Sequence, residues 1–506
     1  MPKFSLPEPM SGTRKSLALA TVATLALALQ GCSTPSGGSE STAGLPTTVD
    51  SISAADKQQG AKAHPQLLAE FGGKVSGPQF AYVESVGKNI AVQSGMSNAT
   101  GDFTVTLLNS PVNNAFAIPG GYVYVTRQLA VLMNNEAEMA GVLGHEVGHV
   151  AARHSAKRQK TATRNSVIGV LGTILSGVLL GDSGLGRLGQ QVFSQGSQLL
   201  TLSYSRSQEL EADNLGIEYL RRAGYDPRSM STVLESLARQ NALEAQMRGT
   251  SNKAPEWAQT HPAPETRVPA ALRQAGANAT GTTNRNTYLT RIDGLTYGDD
   301  PKQGIVDGRN FTHPELRLHF QAPDGFYMIN GTRAVSINGQ SGKAQFSGAK
   351  YSGDLDGYIR SAFSALSGEG QQKVSPQEIK RTTINGLSAA YGIARVNNGK
   401  GEVDVIVFAY EFAKDKAYHF MTIAPAGKNA VFSPMFNSMR RISSTEAGQV
   451  KARKIDVVTV KSGDTLETLA AKMAYGDNRL NRFLVLNGLN SSSRLAAGAK
   501  VKIVTY

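Results

Sequence analysis

The spacing of apolar residues predicts a long amphipathic helix over about Asn135–Ser155. Its apolar side chains recur at helical intervals, at Met139, Val142, Leu143 and Val147. An apolar stripe of this period marks the buried side of a helix. We therefore expect this segment to pack against a hydrophobic core.

A different pattern begins near residue 288, where apolar and polar residues alternate as in strands with one buried face. Residues 288–445 are therefore predicted to form an α+β sheet domain. Strands are predicted at Leu316–Gln321, Ala334–Asn338, Lys343–Lys350, Ala389–Val396, Val403–Phe412 and Ala417–Ala424, and helices at Leu355–Leu366 and Val431–Ile442. No catalytic constellation is evident in this domain, so substrate binding, partner binding and shielding of a neighbouring domain all stay open.

The N-terminus has the pattern of an export signal. A basic start precedes thirteen mostly apolar residues, Leu17–Leu29. As a helix they cover about 20 Å, whereas a bilayer core is about 30 Å thick, so residues 1–31 are predicted to be a signal peptide. The segment ends in LQGC, which resembles a bacterial lipobox and implies lipidation of Cys32. An ordinary secretory signal with an incidental cysteine is the alternative.

Residues 32–50 are rich in Ser, Thr, Gly and Pro, which predicts a flexible tether. Ser33, which follows the cysteine, favours the outer membrane by the same resemblance. Two further linkers are predicted, at 273–287 and 446–456. They separate a domain at 51–272 from the sheet domain, and the sheet domain from a module at 457–506.

Composition restricts the possible chemistry. The chain has 506 residues, with 52 Lys and Arg against 39 Asp and Glu and a formal net charge of +13. Its single cysteine excludes a disulfide scaffold and a thiolate-rich zinc site. No apolar run long enough to span a bilayer follows the N-terminus, which excludes a polytopic membrane protein. Because the charge excess is spread along an exported chain, no nucleic-acid partner is expected.

The segment Gly141–His149, GVLGHEVGH, carries the strongest chemical signal. His145 and His149 are four residues apart, so both imidazoles project from one face of the predicted helix and can bind one zinc ion. Glu146 follows the first histidine and in this motif serves as general base toward the water that zinc activates. Without further ligands, the pattern also fits two surface histidines on an amphipathic helix.

A catalytic zinc needs a third protein ligand. In the segment SRSQELEAD, Glu209 and Asp213 are also four residues apart, on one face of a second predicted helix. This spacing allows Glu209 to bind metal while Asp213 accepts the outer N–H of a ligating histidine. Glu211 lies on roughly the other side of that helix and is expected to point away. By itself, the pattern also fits a solvated helix face.

Four segments together resemble the HEXXH metallopeptidases of the CAAX prenyl protease and HtpX type, over roughly residues 52–275. The segments are NNAFAIPGG at 113–121, HEVGHVAARHS at 145–155, the pair Glu209 and Asp213, and THPAPETR at 260–267. The resemblance implies a mainly α-helical, gluzincin-type metallopeptidase domain with one Zn2+ per chain. It also implies that Glu209 is the third zinc ligand.

The same resemblance implies a small β-hairpin beside the cleft. The stretch Asn114–Ile118 precedes the predicted hairpin strand Tyr122–Thr126. The alternating pattern suits an edge that could pair with an extended substrate by β-addition. Asn114, Ala115 and Phe116 are therefore candidate substrate-binding positions.

His261 and Arg267 match the family's downstream histidine and arginine, which lie near the metal. A cation or N–H donor there would stabilise the oxyanion of a tetrahedral intermediate. In some periplasmic relatives the equivalent histidine instead caps the zinc and holds the enzyme inactive, and a plain turn histidine before Pro262 is a third alternative. His154 leaves the ligand face of its helix and is expected to be a packed or surface residue. His313, in a similar Thr-His-Pro triplet, is expected to be structural.

The insert between His149 and Glu209 holds a basic cluster and then an apolar, glycine-punctuated run, Val167–Leu180. Fourteen residues are too few to span a bilayer. We expect a helical hairpin, which would form either a lid on the catalytic domain or a contact with an anionic membrane surface.

Residues 457–506 have a βααβ pattern that resembles a LysM domain over its whole length. Two of its turns match the loops that line the family's groove for N-acetylglucosamine-containing glycans. The resemblance implies glycan contacts at Gly463, Asp464, Thr465, Asn487, Gly488 and Leu489. A protein-contact or purely structural module is the alternative.

The sequence thus predicts a lipid-anchored zinc endopeptidase of the bacterial cell envelope, facing the periplasm from the outer membrane. Its expected substrates are misfolded or stalled periplasmic and outer-membrane proteins, with peptidoglycan as a further partner of the C-terminal module. The competing hypothesis is an envelope assembly or binding factor whose protease site is capped by His261.

Overall fold

The computed structural model describes most of the chain beyond the N-terminal region and the insert. The described residues are 49–155, 204–248, 261, 264–366, 374–397 and 401–506. The predicted signal peptide, Cys32, most of the tether and the apolar run at 167–180 lie outside the described residues. Within the described ranges, no helix is both long and apolar enough to cross a membrane.

The first unit contains both helices and a small sheet. In chain order the helices are α1 (Ala54–Glu70), α2 (Pro78–Val92), α3 (Arg127–Leu132), α4 (Glu136–Ala151), α5 (Arg206–Arg222), α6 (Ser229–Arg248), α7 (Pro264–Ala275) and α8 (Arg285–Ile292). The side chains of Asn135 and Ser205 accept hydrogen bonds from backbone N–H groups in the first turns of α4 and α5. These caps fix where the two helices with the predicted ligands begin.

A three-stranded sheet packs beside α4. Its strands are β1 (Thr104–Leu108), β2 (Ala115–Ile118) and β3 (Tyr122–Thr126). Their order is β1–β3–β2, with β1 parallel to β3 and β2 antiparallel to it. The predicted hairpin is therefore part of a larger sheet, and its free edge lies on β2 because β3 is paired on both sides. Strand β1 was not predicted from the hydrophobic pattern.

The second unit is built from two antiparallel sheets. Its strands are β5 (Ile305–Asp307), β6 (Asn310–His313), β7 (Leu318–Gln321), β8 (Tyr327–Asn330), β9 (Ala334–Gly339), β10 (Gly342–Lys350), β11 (Ile379–Ile384), β12 (Leu387–Asn397), β13 (Glu402–Ala413), β14 (Lys416–Pro425) and β15 (Arg440–Arg441). The large sheet has the order β11–β12–β13–β14–β10–β9–β8, and the small one β15–β7–β6–β5. Phe320, Phe346 and Phe420 pack together in a core that includes both sheets.

Three helices accompany these sheets. They are α9 (Leu355–Ser364), α10 (Ser433–Ser438) and α11 (Ser444–Gln449). Each of the six predicted strands overlaps an observed one. The predicted helix Val431–Ile442 is too long, because Arg440 and Arg441 pair with β7 as a short strand. The predicted linker at 446–456 is also wrong in its bounds, because helix α11 and a strand occupy much of it.

The third unit has the predicted βααβ order. Its elements are β16 (Arg453–Thr459), α12 (Leu466–Ala470), α13 (Arg479–Leu486) and β17 (Lys500–Thr505). Strand β16 pairs with β17 on one side and with β4 (Thr296–Tyr297) on the other.

Helix α8 spans the predicted domain boundary at residue 288. Tyr288, Leu289 and Ile292 of α8 are buried in one hydrophobic core together with side chains of α4 and of the third unit. The predicted linker 273–287 also overlaps the end of α7 and the start of α8. The alternation of polar and apolar residues predicted the strands of the second unit. It does not indicate which hydrophobic core a neighbouring helix such as α8 packs against.

His419 is expected to make the stability of the second unit depend on pH. It is buried in β14, its Nδ1 lies 2.9 Å from the Tyr358 hydroxyl, and burial lowers the pKa of His419 from 6.5 to about 4. The unfolded chain therefore binds a proton at a higher pH than the folded chain does. The free energy of unfolding should fall by on the order of 3 kcal/mol as the pH drops from about 6.5 to about 4.

Urea unfolding of the wild type and of His419→Gln, followed at both ends of this pH range, measures the effect. The variant should lose that share of the pH dependence. An identical pH dependence in both proteins would contradict the assignment.

Candidate metal centre

Small residues bring the two ligand-carrying helices together. A Cβ at Gly216 of α5 would lie 3.0 Å from the backbone nitrogen of His145 in α4, and a Cβ at Gly148 would lie 3.2 Å from the carbonyl oxygen of Ala212. Larger side chains at these positions would push the helices apart, since interiors are close-packed. The close approach places Glu209 of α5 opposite the histidine pair of α4.

Four buried side chains converge at this point. The Nε2 atoms of His145 and His149 are 3.0 Å apart, and Glu209 Oε1 lies 3.4 Å from Nε2 of His149. His261 Nδ1 lies 3.1 Å from Glu209 Oε1 and 3.3 Å from His145 Nε2. One candidate ligand atom from each residue lies within 4.8 Å of all the others. Imidazole nitrogens and a carboxylate oxygen in this arrangement fit a tetrahedral zinc site.

The surrounding charges favour the protonation states that a metal requires. Burial opposes ionisation of Glu209, but His261 and His149 outweigh it and hold the pKa of Glu209 well below its usual range. Burial lowers the pKa of His149 well below its usual value. The pair therefore offers a carboxylate and a neutral imidazole, as metal ligation needs.

Asp213 and Arg267 support the cluster from one side. His145 Nδ1 lies 2.9 Å from Asp213 Oδ1, so this carboxylate stands beside the outer nitrogen of the ring while Nε2 faces the cluster. Arg267 donates to both oxygens of Asp213 and to Glu209. Burial opposes ionisation of Asp213, but Arg267 outweighs it and lowers the pKa of that carboxyl.

Arg267, which was expected near the metal, lies beside two of the buried carboxylates. Its Nε and Nη2 donate to Asp213 and its Nη1 donates to Glu209, so the guanidinium is fixed against these two carboxylates. An arginine in this position orients Glu209 and Asp213 and balances their buried charge. These contacts favour a positioning role for Arg267.

His154 and Glu211 form a second support that the sequence reading missed. His154 is fully buried, and its Nδ1 lies 2.8 Å from Nδ1 of His149. Its Nε2 lies 3.1 Å from Glu211 Oε2. Because Nε2 of His149 faces the cluster, its Nδ1–H donates to His154, which in turn donates to Glu211. Glu211 does turn away from the ligands, as expected, but it still orients one of them through His154.

His154→Ala should weaken zinc binding by about ten- to a hundredfold, because His149 loses the partner of its outer nitrogen. Competition with a fluorescent chelator measures the affinity. His319→Ala, in the second unit, is the control and should leave zinc affinity unchanged. Equal zinc affinity in wild type and His154→Ala would show that the contact does not orient the ligand.

Glu146 lies beside the cluster. It is buried, and its Oε1 is 3.5 Å from Nε2 of His261 and has no hydrogen-bond partner among the described residues. Burial raises the pKa of Glu146, although His261 and His145 oppose the shift. A carboxylate whose proton affinity is raised by burial is suited to accept a proton and release it again.

Tyr204 is a further neighbour that the sequence reading missed. Its ring stacks on His149, with centroids 3.7 Å apart and planes 16° from parallel. The position directly precedes Ser205, the cap of α5, so the start of that helix also positions the tyrosine. In the sequence, the one feature that could have pointed to Tyr204 is its position directly before the N-cap residue of α5.

The predicted substrate edge lies on β2, which packs against α4. The side chains of Ala115 and Phe116 are buried, so only the backbone of this edge is available for pairing. The carbonyl of Asn114 already accepts a hydrogen bond from Thr126 N at 2.9 Å. The free edge strand β2 therefore packs against α4, the helix that also carries His145 and His149.

The two predicted glycan turns differ in exposure. Gly463 and Thr465 are exposed, and the Thr465 hydroxyl caps α12 while Asp464 accepts from Lys461 N at 2.8 Å. Asn487, in contrast, is buried. Its amide donates to the carbonyls of Phe483 and Lys502 and accepts from Lys502 N, so it serves the fold of the module. Gly488 is exposed and Leu489 half-buried.

Comparisons with known proteins agree with this geometry. Residues 78–275 match the model of peptidase family M48, and residues 458–504 match that of the LysM domain. The beta-barrel assembly-enhancing protease of Escherichia coli O157:H7 is 33% identical over 197 residues, which are 38% of each chain. The mitochondrial metalloendopeptidase OMA1 of Schizosaccharomyces pombe is 32% identical over 216 residues, 42% of this chain and 59% of that protein.

The matches cover parts of these proteins, less than two thirds of the length of either relative. Among solved structures, one from Bacteroides thetaiotaomicron covers 40% of this chain and 87% of that chain at 11% identity, with a TM-score of 0.24, which supports no argument. Family M48 is zinc-dependent, and the cluster of three histidines and a glutamate is compatible with one zinc ion. The chain therefore combines a metallopeptidase domain of family M48 with a LysM domain.

Proposed function

We propose that this protein is a zinc-dependent endopeptidase of the bacterial cell envelope. The observation that carries the proposal is the convergence of His145, His149 and Glu209 with Glu146 beside them. Three protein ligands and an adjacent carboxylate are the components of a hydrolytic zinc site. Its proposed substrates are misfolded or stalled outer-membrane and periplasmic proteins, and the similarity to a beta-barrel assembly-enhancing protease supports β-barrel proteins among them.

The proposed reaction is hydrolysis of a peptide bond. A zinc ion at the cluster would supply Lewis acidity, which lowers the pKa of a water molecule toward neutrality and polarises the scissile carbonyl. Glu146 accepts the proton of the attacking water and returns it to the leaving amine. Asp213 and Arg267 keep the ligands in place throughout. The free edge of β2 pairs with an extended substrate by β-addition.

His261 supports a second candidate function. Its Nδ1 lies as close to Glu209 and His145 as a fourth ligand would, and a fourth protein ligand fills the position that water needs in a catalytic site. A chain held in this state would act as an assembly or binding factor in the envelope until the histidine moved away.

The proposal also includes a membrane anchor and a glycan-binding domain. Lipidation at Cys32 would anchor the chain to the outer membrane, facing the periplasm. The LysM domain suggests glycan binding, for which the exposed turn Gly463–Thr465 is available.

The test is zinc content together with cleavage of an unfolded outer-membrane β-barrel protein by the mature chain. One zinc per chain is expected, with cleavage that a chelator abolishes and added zinc restores. Cleavage that persists after complete zinc removal would overturn the proposal. Zinc without cleavage would favour the capped binding factor.

A further inference from the structure

The LysM domain shares a β-sheet with the rest of the chain. Strand β16 pairs with β4, which lies just after α8, in addition to its own partner β17. Gly294 N donates to the carbonyl of Ile455, and Ile455 N donates to the carbonyl of Leu295, each at 2.9 Å. A domain on a free tether would not extend its sheet in this way.

Lys502 of β17 reaches into the peptidase domain. Its side chain is fully buried, and its ammonium donates to the carbonyls of Val131 and Met133 at 2.8 and 2.7 Å, and more weakly to Leu132 at 3.3 Å. These carbonyls lie at the C-terminal end of α3, where the backbone has no helical partners and a cation is favoured. Burying a lysine is unfavourable unless its donors are satisfied, and here the satisfying groups belong to the other domain.

The turn after α13 contacts the peptidase domain as well. Arg239 of α6 donates to the carbonyl of Leu489. A Cβ at Gly488 would come within 3.3 Å of the side-chain nitrogen of Asn134, in the segment that joins α3 to α4. The amide of Asn487 is used inside the LysM domain, as described above. This turn therefore contacts protein on the side that faces α3 and α6, while Gly488 stays exposed on its other side.

We propose that the partner of the Asn487–Leu489 turn and of Lys502 is the peptidase domain of the same chain, and that this turn does not bind glycan. The LysM domain then acts as a structural part of the peptidase, supporting the end of α3 and the start of α4. Glu138 in the first turn of α4 accepts a hydrogen bond from Asn134 N, in the segment that directly follows the carbonyls that Lys502 contacts. Because α4 carries His145 two turns later, the LysM domain helps to hold the zinc-binding helix in place. Glycan contact is left to the exposed turn Gly463–Thr465.

Hydrogen exchange of the full-length chain tests the docking. In Lys502→Met, the amides of residues 131–139 should exchange about tenfold faster, although the substitution lies in another domain. The control is Lys461→Met, on the exposed turn, which should leave these amides unchanged. Faster exchange confined to the LysM domain would overturn the proposal.

A second variant covers the case in which Lys502→Met fails to fold. Arg239→Ala lies at the rim of the interface on the peptidase side, and it should speed exchange of residues 484–489 in the LysM domain. Unchanged exchange there would contradict the docking. The exchange measurement does not require peptidase activity, so its outcome is separate from that of the proposed function.

Soluble peptidoglycan glycan strands test the assignment of the turns. The strands are expected to protect wild-type amides at residues 461–468 and to leave those at 484–489 unchanged. Added protection at residues 484–489 would show that glycan binds the Asn487–Leu489 turn and would overturn the proposal.

Discussion

Glu146→Gln should retain one zinc ion per chain and lose cleavage of unfolded protein by about a hundred- to ten-thousandfold, the usual contribution of a general base. Glutamine has nearly the same shape as glutamate but cannot accept a proton from the attacking water. The ligands His145, His149 and Glu209 are untouched, so zinc binding should not change. Zinc analysis and a gel-based cleavage assay on the same preparations measure both properties.

Glu84→Gln is a matched control on the surface of α2, where Glu84 pairs with Lys88. It should cleave like the wild type. If Glu146→Gln cleaved at the wild-type rate while holding zinc, Glu146 could not be the base. Loss of zinc together with activity would instead assign Glu146 a role in holding the ligands.

His261→Ala should raise cleavage by the zinc-loaded chain by about tenfold. A ring nitrogen that occupied the fourth position nine-tenths of the time would hold activity at about a tenth of its open value. The geometry favours this role, because His261 Nδ1 lies 3.1 Å from Glu209 Oε1 and 3.3 Å from His145 Nε2. Initial rates on an unfolded protein at saturating zinc give the comparison.

The same variant should bind zinc more weakly, since one candidate ligand is lost. His313→Ala provides a control, because His313 accepts a backbone hydrogen bond within the second unit. A fall in cleavage at saturating zinc would contradict the cap and would assign His261 to stabilisation of the transition state instead.

Local spacing explains why parts of the site could be predicted. The interval of four residues between His145 and His149, and again between Glu209 and Asp213, puts each pair on one helix face whatever the rest of the chain does. The structure adds that Gly148 and Gly216 let the two helices approach, which joins the pairs into one cluster. That approach depends on packing between segments about 60 residues apart in sequence, so spacing alone could not give it.

Residues whose role depends on a distant partner were predicted less well. Arg267 was expected near a reacting oxygen, but two carboxylates of α5 engage its guanidinium. His154 was expected to be a packed or surface residue, and it is packed, but its contacts with His149 and Glu211 were not foreseen. Both residues were singled out in the sequence, but their contacts with side chains of α5 could not be predicted from it. A hydrogen bond between separate helices produces no periodic pattern in the sequence.

The sequence by itself determined the ligand types and their helical spacing, the βααβ module and most strands of the sheet domain. Each of these follows from periodicity or from turn chemistry over a few residues. Only the tertiary structure decided that His261 joins the ligand cluster, that α8 belongs to the peptidase core and that Lys502 docks the LysM domain on α3. The physical reason is that burial and close packing select among contacts between segments far apart in the chain. The sequence of a single strand or helix does not specify which segment packs against it.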